Sequence, residues 1–307
     1  MLIREIPEKV KQGELVQYAE SLSDLYARNY DANVRKLKGQ FFTPKQVSAY
    51  MASLFEIHHD TIHLLDPGAG TGILTAALCE RLLYNNKIVE LSVDAYENDP
   101  ALLPLLRKTL ETCKSKLEGR GHSVDYHIYK QDFILSNERY FKKLHLSSAP
   151  AEHTFYDFVI SNPPYYKLNK DSPQSTVMME LISGQPNIYA LFMALSASMI
   201  KPGGEMVFIT PRSFCSGLYY KRFREWFLNN VQITNIHIFE SRKEVFNKDE
   251  VLQENVIIKA KRRKETNKHD KVIITTSRNK DFDKLGSIEV PSTDVIRHKN
   301  GETFIWI

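Results

Sequence analysis

The four residues at positions 162–165 have the composition of a turn that holds a flat amino group. They are Asn162, Pro163, Pro164 and Tyr165, and they follow the apolar run 155–160, which predicts a buried strand. Open α/β sheets bind their ligands just beyond such strand ends. Because the two prolines lack N–H groups, this turn presents the Asn162 amide, carbonyl acceptors and an aromatic ring.

An amino group on an aromatic ring is a poor nucleophile because its lone pair is delocalised into the ring. Two acceptors, the side-chain oxygen of Asn162 and the carbonyl oxygen of Pro163, are available to take both amino hydrogens. The nitrogen then moves toward sp3 geometry and directs its lone pair at an electrophile. The turn therefore predicts group transfer to an aryl amine, with an ordinary proline turn as the alternative.

A glycine-rich turn lies earlier in the chain, between an apolar stretch and a helical pattern over 73–83. Its distinctive residues are Asp66, Gly68, Gly70 and Gly72. Glycines let the backbone approach a ligand closely. Their spacing differs from the G-x-G-x-x-G dinucleotide fingerprint, so a different ligand is indicated.

Two more predicted strands end in acidic residues. The strand over 93–96 ends at Glu97, about 25 residues beyond Gly72, an interval at which an acid meets a ribose diol. The strand over 124–130 is followed by Asp132 and Phe133. Each strand end alone is an ordinary turn. Three strand ends with acidic residues occur in succession along the chain, and the proline turn follows them. This combination favours a ligand site over unrelated turns.

In these motifs the chain resembles the S-adenosylmethionine-dependent amino methyltransferases. Within them it is most similar to the γ-class N6-adenine DNA methyltransferases of restriction–modification systems. The resemblance covers roughly residues 35–260. It includes the upstream motif 39–44, the segments 187–192 and 201–204, and the loop 244–246. The upstream motif precedes the glycine motif and the proline turn follows it, which is the γ-class order.

The resemblance implies S-adenosylmethionine as the cofactor and no metal. In the family, the upstream motif covers the methionine end, Glu97 binds the ribose hydroxyls, and Asp132 accepts from the adenine amino group. The implied cofactor-binding residues are Phe42, Thr43, Pro44, Asp66, Gly68, Gly70, Gly72, Glu97, Asn98, Asp132, Phe133 and Asn162.

The same resemblance implies in-line methyl transfer to an adenine extruded from double-stranded DNA. Asn162, Pro163, Pro164 and Tyr165 are then the catalytic residues, and Tyr165 and Phe246 stack on the extruded base. Asn162 favours adenine, because the related cytosine N4 enzymes usually begin this motif with serine. RNA and protein-glutamine methyltransferases share the motif and remain the alternative.

Alternating strand and helix patterns predict an α/β fold. The expected architecture is a doubly wound, mostly parallel, seven-stranded, Rossmann-like methyltransferase sheet with an N-terminal helical extension. We divide the chain into the extension 1–34, the catalytic domain 35–260 and the segment 261–307. The last segment is expected to be a basic linker and the start of a truncated target-recognition region. Thr43 is expected to cap a helix that begins at Pro44.

Composition agrees with a soluble globular protein. Of the 307 residues, 42% are hydrophobic and 25% charged, and no apolar run is long enough to cross a membrane. The N-terminus does not resemble a signal peptide. The three cysteines, Cys79, Cys113 and Cys215, lack metal-site spacing and indicate reduced thiols in the cytoplasm.

Charge gives a weaker indication of the partner. The net charge is only +4, but residues 259–271 carry seven Lys or Arg residues. A solvated linker and a phosphate-binding segment both explain that run. The resemblance implies double-stranded DNA as the partner, with a cognate restriction endonuclease or a specificity subunit as a further expected partner.

Overall fold

A computed structural model describes residues 15–85, 87–141, 156–181, 184, 187–240, 254–263, 270–278, 282 and 285–307. Among these residues, nine strands form one sheet and two more form a separate hairpin. The sheet strands are β1 (Thr61–Pro67), β2 (Glu90–Tyr96), β3 (Ser123–Tyr129), β4 (Tyr156–Ser161), β5 (Ile200–Pro211), β6 (Val231–Phe239), β7 (Asn255–Arg262), β8 (Lys271–Ser277) and β9 (Gly286–Pro291). The hairpin strands are β10 (Ile296–Lys299) and β11 (Glu302–Ile305).

The sheet order is β3-β2-β1-β4-β5-β7-β6-β8-β9. Strands β1 to β5 are parallel, and β7 runs antiparallel between β5 and β6. The predicted α/β class and the mostly parallel sheet are confirmed. The predicted strand count of seven is too low, because β8 joins β6 in parallel and β9 pairs with β8. The β9 sequence alternates polar and apolar residues only from Ser287 to Val290, and it is mostly exposed, so its signal for a strand is weak.

Helices alternate with the first five strands. Their bounds are α1 (Leu15–Asn29), α2 (Ala32–Leu37), α3 (Lys45–Ser53), α4 (Ile73–Leu83), α5 (Leu103–Glu118), α6 (Phe133–Ser136), α7 (Pro173–Val177), α8 (Ile188–Met199), α9 (Lys221–Asn230) and α10 (Ser292–Val295). Helices α1, α3, α4 and α5 contact one another, and α8 and α9 form a second contacting group. Every residue of α8 is buried, as expected for a helix that is apolar on all sides.

The N-terminal helix α1 is packed onto the sheet domain. Leu15, Ala19 and Leu22 are fully buried against neighbouring helices. The Val16 backbone N–H donates to Glu80 Oε2 of α4 at 2.9 Å. Within the predicted helical extension 1–34, α1 ends at Asn29, and a second helix, α2, starts where the Asp31 side chain accepts from the Asn33 N–H.

The basic run 259–271 is largely bound within the chain. Lys259 and Lys261 each lie 2.9–3.0 Å from the carboxylates of Glu56 and Glu205. Three more cations of the run also donate to carbonyl or carboxylate oxygens of this chain: Arg262, Arg263 and Lys271. Lys259, whose side chain is 3% exposed, therefore serves an internal ion pair, whereas phosphate contact by exposed cations of the run such as Lys271 stays a prediction. Lys264 and Lys268 lie outside the described residues.

The C-terminal hairpin is fastened to α9 by a buried arginine. Arg224 donates to the carbonyl oxygens of Thr303 at 2.7 Å and Gly217 at 2.6 Å. Its guanidinium also lies 5.3 Å from the centre of the Phe304 ring. A fully buried cation needs such acceptors, so the hairpin and α9 depend on each other.

Within the residues that the structure describes, no helix is both long enough and apolar enough to cross a membrane. All three cysteines are buried and carry free thiols.

Candidate active site

A cleft of about 500 Å³ lies at the carboxyl ends of β1, β2 and β4, where a doubly wound sheet binds ligands. It brings together many of the residues that the sequence singled out. The predicted site residues that line it are Phe42, Gly68, Gly70, Glu97, Asn98, Asp132, Phe133, Asn162 and Pro164. Its other walls include Phe192, from the segment 187–192 that the resemblance includes, and residues that the sequence did not single out, among them Lys38 and Tyr166.

The glycine turn shapes the floor of this cleft. Gly68 and Gly70 have φ angles of +76° and +59°, which only glycine adopts freely. A Cβ at Gly68 would stand 3.6 Å from the Phe192 ring and 3.7 Å from Pro164. A side chain at either glycine would therefore reduce the space for a ligand.

Gly72 serves the packing of helices instead. It has a φ of +82° at the start of α4, and it does not line the cleft. A Cβ there would lie 2.9 Å from Leu106 and 3.2 Å from Thr109, both on α5.

Gly72→Ala should lower stability more than it lowers ligand binding. The left-handed conformation alone costs an L-residue roughly 1–2 kcal/mol, and the crowding against Leu106 adds to this. Gly301 is a matched control, because it has a φ of +73° and a Cβ added there would meet no atom within 4 Å. Thermal melting should therefore fall further for Gly72→Ala than for Gly301→Ala, and equal shifts would exclude the packing role.

Asp66 lies behind the glycine turn and is completely buried. Its Oδ2 accepts from the Thr75 hydroxyl at 2.6 Å, while Oδ1 has no hydrogen-bond partner in the structure. Burial raises the pKa of this carboxyl to about 7. An unpartnered buried carboxylate oxygen is costly, so Asp66 is suited to receiving a donor, although the residue itself does not line the cleft.

Glu97 occupies the centre of the cleft wall. Its Oε2 accepts from the Gly70 N–H at 2.9 Å, and Oε1 accepts from the Asp99 N–H at 2.7 Å. Burial raises its pKa to about 7. The Asn98 N–H also acts on this carboxylate. A carboxylate accepts about four hydrogen bonds, so acceptor capacity remains for a hydroxyl group of a ligand.

Asp132 is oriented by its own helix and by a second loop. Its Oδ1 accepts from the Leu135 N–H at 2.9 Å and caps α6, while Oδ2 accepts from Gln174 Nε2 at 2.9 Å. The neighbouring Phe133 ring contacts Tyr96 edge-on at 5.0 Å and Phe192 at 5.1 Å. This part of the cleft combines a carboxylate with aromatic rings, as a site for a flat nitrogen heterocycle requires.

The Asn162 side chain is held in one orientation. Its Nδ2 donates to the Phe41 carbonyl oxygen at 2.7 Å and to the Thr43 hydroxyl at 3.0 Å. Its Oδ1 lies 2.6 Å from the Tyr165 hydroxyl. The two acceptors beside Nδ2 fix which end of the amide is nitrogen, and they leave Oδ1 as its acceptor.

Tyr165 is buried, and an aromatic neighbour covers one face of its ring. Only 5% of Tyr165 is exposed, and the Phe41 ring stacks on it with 5.6 Å between centroids. Its hydroxyl lies 2.8 Å from the Ile209 carbonyl oxygen as well as near Asn162. Burial raises the pKa of this phenol well above its usual value. A base that stacks on this face of Tyr165 must displace Phe41.

The remaining predicted residues lie around the cleft rather than in it. Thr43 and Pro163 are buried and Pro44 is half-buried, and none of the three lines the cleft. The expected cap by Thr43 is wrong, because Pro44 is itself the residue before α3 and the Thr43 hydroxyl accepts from Asn162. Phe246 lies outside the described residues.

A polar network joins the N-terminal segment to the cleft, and sequence reasoning missed it. The Asp99 Oδ2 atom accepts from Lys38 Nζ at 2.7 Å, Gln40 Nε2 at 3.0 Å and the Tyr26 hydroxyl at 3.1 Å. The only signal in the sequence was the place of Gln40 in the upstream motif. Among the described residues, no three His, Cys, Asp or Glu side chains cluster to hold a metal.

Comparison with known proteins places this site in a family. Residues 76–246 match the family model of the Eco57I restriction-modification methylase. The chain is 37% identical over 88% of its length to the Type II methyltransferase M.BsuBI of Bacillus subtilis, and it covers 52% of that protein. It is 31% identical over 94% of its length to the Type II methyltransferase M.PstI of Providencia stuartii, and it covers 55% of that protein.

The chain thus spans about half the length of these curated relatives. A solved structure with the same fold is the methyltransferase subunit of a type I restriction-modification system from Streptococcus thermophilus. The TM-score is 0.55 at 14% identity, and the match covers 94% of this chain and 54% of that one.

Proposed function

The chain belongs to the Eco57I restriction-modification methylase family, and from this premise we propose that it methylates DNA. The reaction is transfer of a methyl group from S-adenosylmethionine to the N6 amino group of an adenine in double-stranded DNA. The observation that supports this proposal most directly concerns Asn162, whose side chain lines the cleft. Both hydrogens of its amide nitrogen face acceptors of the protein, so the amide oxygen is the end that can accept from a target amino group.

The residues in and behind the cleft fit this cofactor. Asp66 has a buried oxygen without a donor, Gly68 and Gly70 leave open space, and Glu97 retains acceptor capacity. We assign the ribose hydroxyls to Glu97, the adenine amino group to Asp132, and the methionine part to Asp66 and the glycine turn. When bound, S-adenosylmethionine supplies an electrophilic methyl group on a positively charged sulfur.

The protein contributes alignment and stabilisation of charge. Asn162 Oδ1 and the Pro163 carbonyl oxygen accept the two hydrogens of the target amino group and stabilise the positive charge that develops on its nitrogen. The single hydroxyl proton of Tyr165 has two acceptors, Asn162 Oδ1 and the Ile209 carbonyl oxygen. Donation to Ile209 leaves Asn162 Oδ1 free for the target amine.

Base stacking is assigned to Tyr165 and Phe246. An adenine inside a duplex has to leave the stack before it reaches Asn162, which costs a few kcal/mol. Stacking on aromatic side chains stabilises the extruded base by about 1–3 kcal/mol. A restriction endonuclease or a specificity subunit is the expected partner of this methyltransferase.

A transfer assay with three substrates tests the function. The purified chain is incubated with tritiated S-adenosylmethionine and, in parallel, double-stranded DNA free of adenine methylation, RNA, and a glutamine-containing release factor. We expect label in DNA, and N6-methyladenine as the product after digestion and mass spectrometry. Label only in RNA or protein, or N4-methylcytosine as the DNA product, would overturn the assignment.

The affinity for S-adenosylmethionine should fall as the pH is lowered through 7. The pKa of Glu97 in the free protein is about 7 because the carboxyl is buried, and hydroxyl donors from the ribose lower it in the complex. Below pH 7, binding must therefore release a proton, and Kd should rise by up to about tenfold per pH unit until the pKa of the complex is reached.

Isothermal titration calorimetry at several pH values around and below 7 measures how steeply Kd depends on pH. The cofactor's own ammonium group and Asp66 also titrate, so the informative comparison is with Glu97→Gln, which has no carboxyl at this position. The variant should show a shallower dependence than the wild type. Identical slopes would contradict the assignment of Glu97 to the ribose.

A further inference from the structure

The orientation of the Asn162 amide depends on the segment at residues 39–43. Nδ2 carries two protons, and this segment supplies one acceptor for each: the Phe41 carbonyl oxygen at 2.7 Å and the Thr43 hydroxyl oxygen at 3.0 Å. The two ends of a carboxamide have nearly the same shape. Hydrogen-bond partners, rather than packing, therefore decide which end faces the cleft.

The wrong orientation would disable the site. It would present an NH2 group to the target amino group, so a donor would face a donor and the acceptor would be lost. The Phe41 carbonyl oxygen satisfies one Nδ2 proton. Without the Thr43 hydroxyl the second proton loses its acceptor within the protein, which removes part of the preference for the correct orientation.

The segment is also fixed firmly against the catalytic turn. The Tyr165 N–H donates to the Gly39 carbonyl oxygen at 3.2 Å. Gly39 has a φ of +65°, and a Cβ there would lie 2.5 Å from the Tyr165 nitrogen. Pro44 restricts Thr43 to extended geometry. Thr43 is 4% exposed and does not line the cleft, so its hydroxyl acts on Asn162.

We propose that Thr43 is a positioning residue for methyl transfer. Its hydroxyl oxygen accepts an Nδ2 proton of Asn162 and thereby keeps Asn162 Oδ1 as the acceptor for the target amine. The inference rests on the proposed function, because it concerns the same site. It gives Thr43 a role distinct from binding the cofactor and from capping α3.

The test compares Thr43→Val with Thr43→Ser. Valine keeps the shape and removes the acceptor, whereas serine keeps the acceptor and removes a methyl group. Thr43→Val should lower kcat about tenfold or more, because an interaction that acts in the transition state is weakened. Its Kd for S-adenosylmethionine and its melting temperature should stay close to wild type. Thr43→Ser should recover most of the lost rate.

Three results would overturn the inference. The first is a Thr43→Val rate within about twofold of wild type, too small an effect for a lost orienting hydrogen bond. The second is an equal loss of cofactor affinity, which would place Thr43 in the cofactor site. The third is a Thr43→Ser variant as slow as Thr43→Val, which would show that the methyl group is what matters.

A measurement that does not depend on activity separates this inference from the proposed function. In 1H–15N spectra, the Asn162 side-chain NH2 signals, assigned by their loss in Asn162→Asp, should exchange slowly with solvent in the wild type. They should exchange faster in Thr43→Val and remain slow in Thr43→Ser. If the wild type is inactive but shows these three exchange rates, methyl transfer is refuted and the Thr43–Asn162 contact is supported. If exchange in Thr43→Val is as slow as in the wild type, the contact is refuted.

Discussion

Asn162→Ala should slow methyl transfer by at least ~100-fold and leave the affinity for S-adenosylmethionine within a few-fold of wild type. The substitution removes the acceptor that acts on the amino group as positive charge develops there. The contacts assigned to the cofactor, at Glu97 and Asp132, are unchanged. Single-turnover rates at saturating cofactor, together with calorimetric binding, separate the two effects.

Asn169→Ala is the matched control, because Asn169 is exposed in the same loop after β4 and lies outside the cleft. It should leave the rate unchanged. Asn162→Ala also removes the two contacts to Phe41 and Thr43, so the melting temperature must be measured beside the rate. Turnover within a few-fold of wild type would make Asn162 a structural residue.

Glu97→Ala should weaken the binding of S-adenosylmethionine by roughly 1–3 kcal/mol, or about 5- to 150-fold in Kd. The change removes the acceptor assigned to the ribose hydroxyls. It also leaves the N–H groups of Gly70 and Asp99 without the carboxylate that orders the glycine turn. Calorimetry in the presence of EDTA measures the loss and tests the expectation that no metal takes part.

Glu90→Ala supplies the comparison for Glu97, because Glu90 is an exposed acid at the other end of the same strand, β2. Its affinity should match wild type. If Glu97→Ala binds the cofactor as tightly as Glu90→Ala does, with the fold intact, the ribose is bound elsewhere.

The sequence predicted the strands and the strand-end motifs because those signals are local. A buried strand followed by Asp132 and Phe133, or by the turn at Asn162, is recognisable within about ten residues. The order of these motifs then predicted that they share one edge of the sheet, and the cleft brings most of them together.

Side chains whose partners are distant in sequence were predicted less well. Asp99 precedes Pro100, which suggests a local cap, and its Oδ1 does accept from the Ala101 N–H at 3.0 Å. Its Oδ2 also accepts from Lys38 and Gln40, which are distant in sequence. Thr43 precedes Pro44 and so also suggests a helix cap, but its hydroxyl accepts from Asn162 instead. In both cases nothing in the neighbouring residues signals the tertiary partner.

The basic run shows the same limit for charge. Seven cations in thirteen residues suggest a solvated or phosphate-binding surface. Lys259 lies in a central strand, where its side chain is 3% exposed and needs the carboxylates of Glu56 and Glu205. A buried lysine is stable only when paired, and the partners come from β5 and from the segment after α3.

The contact between Asn162 and Phe41 joins positions 121 residues apart in the chain. During synthesis, residues 39–43 leave the ribosome long before the turn at Asn162 that they hold. The acids assigned to the cofactor, Glu97 and Asp132, are therefore also synthesised before the amide assigned to methyl transfer. The connection between α3 and β1 includes the exposed residues His58, His59 and Asp60. A protease cut there would leave Glu97 and Asp132 on one fragment with the whole sheet, and the acceptors of Asn162 on the other. If the two fragments dissociated, the larger one would keep the acids assigned to the cofactor. Its Asn162 amide would then rotate freely, because the acceptors that orient it would have left with the smaller fragment.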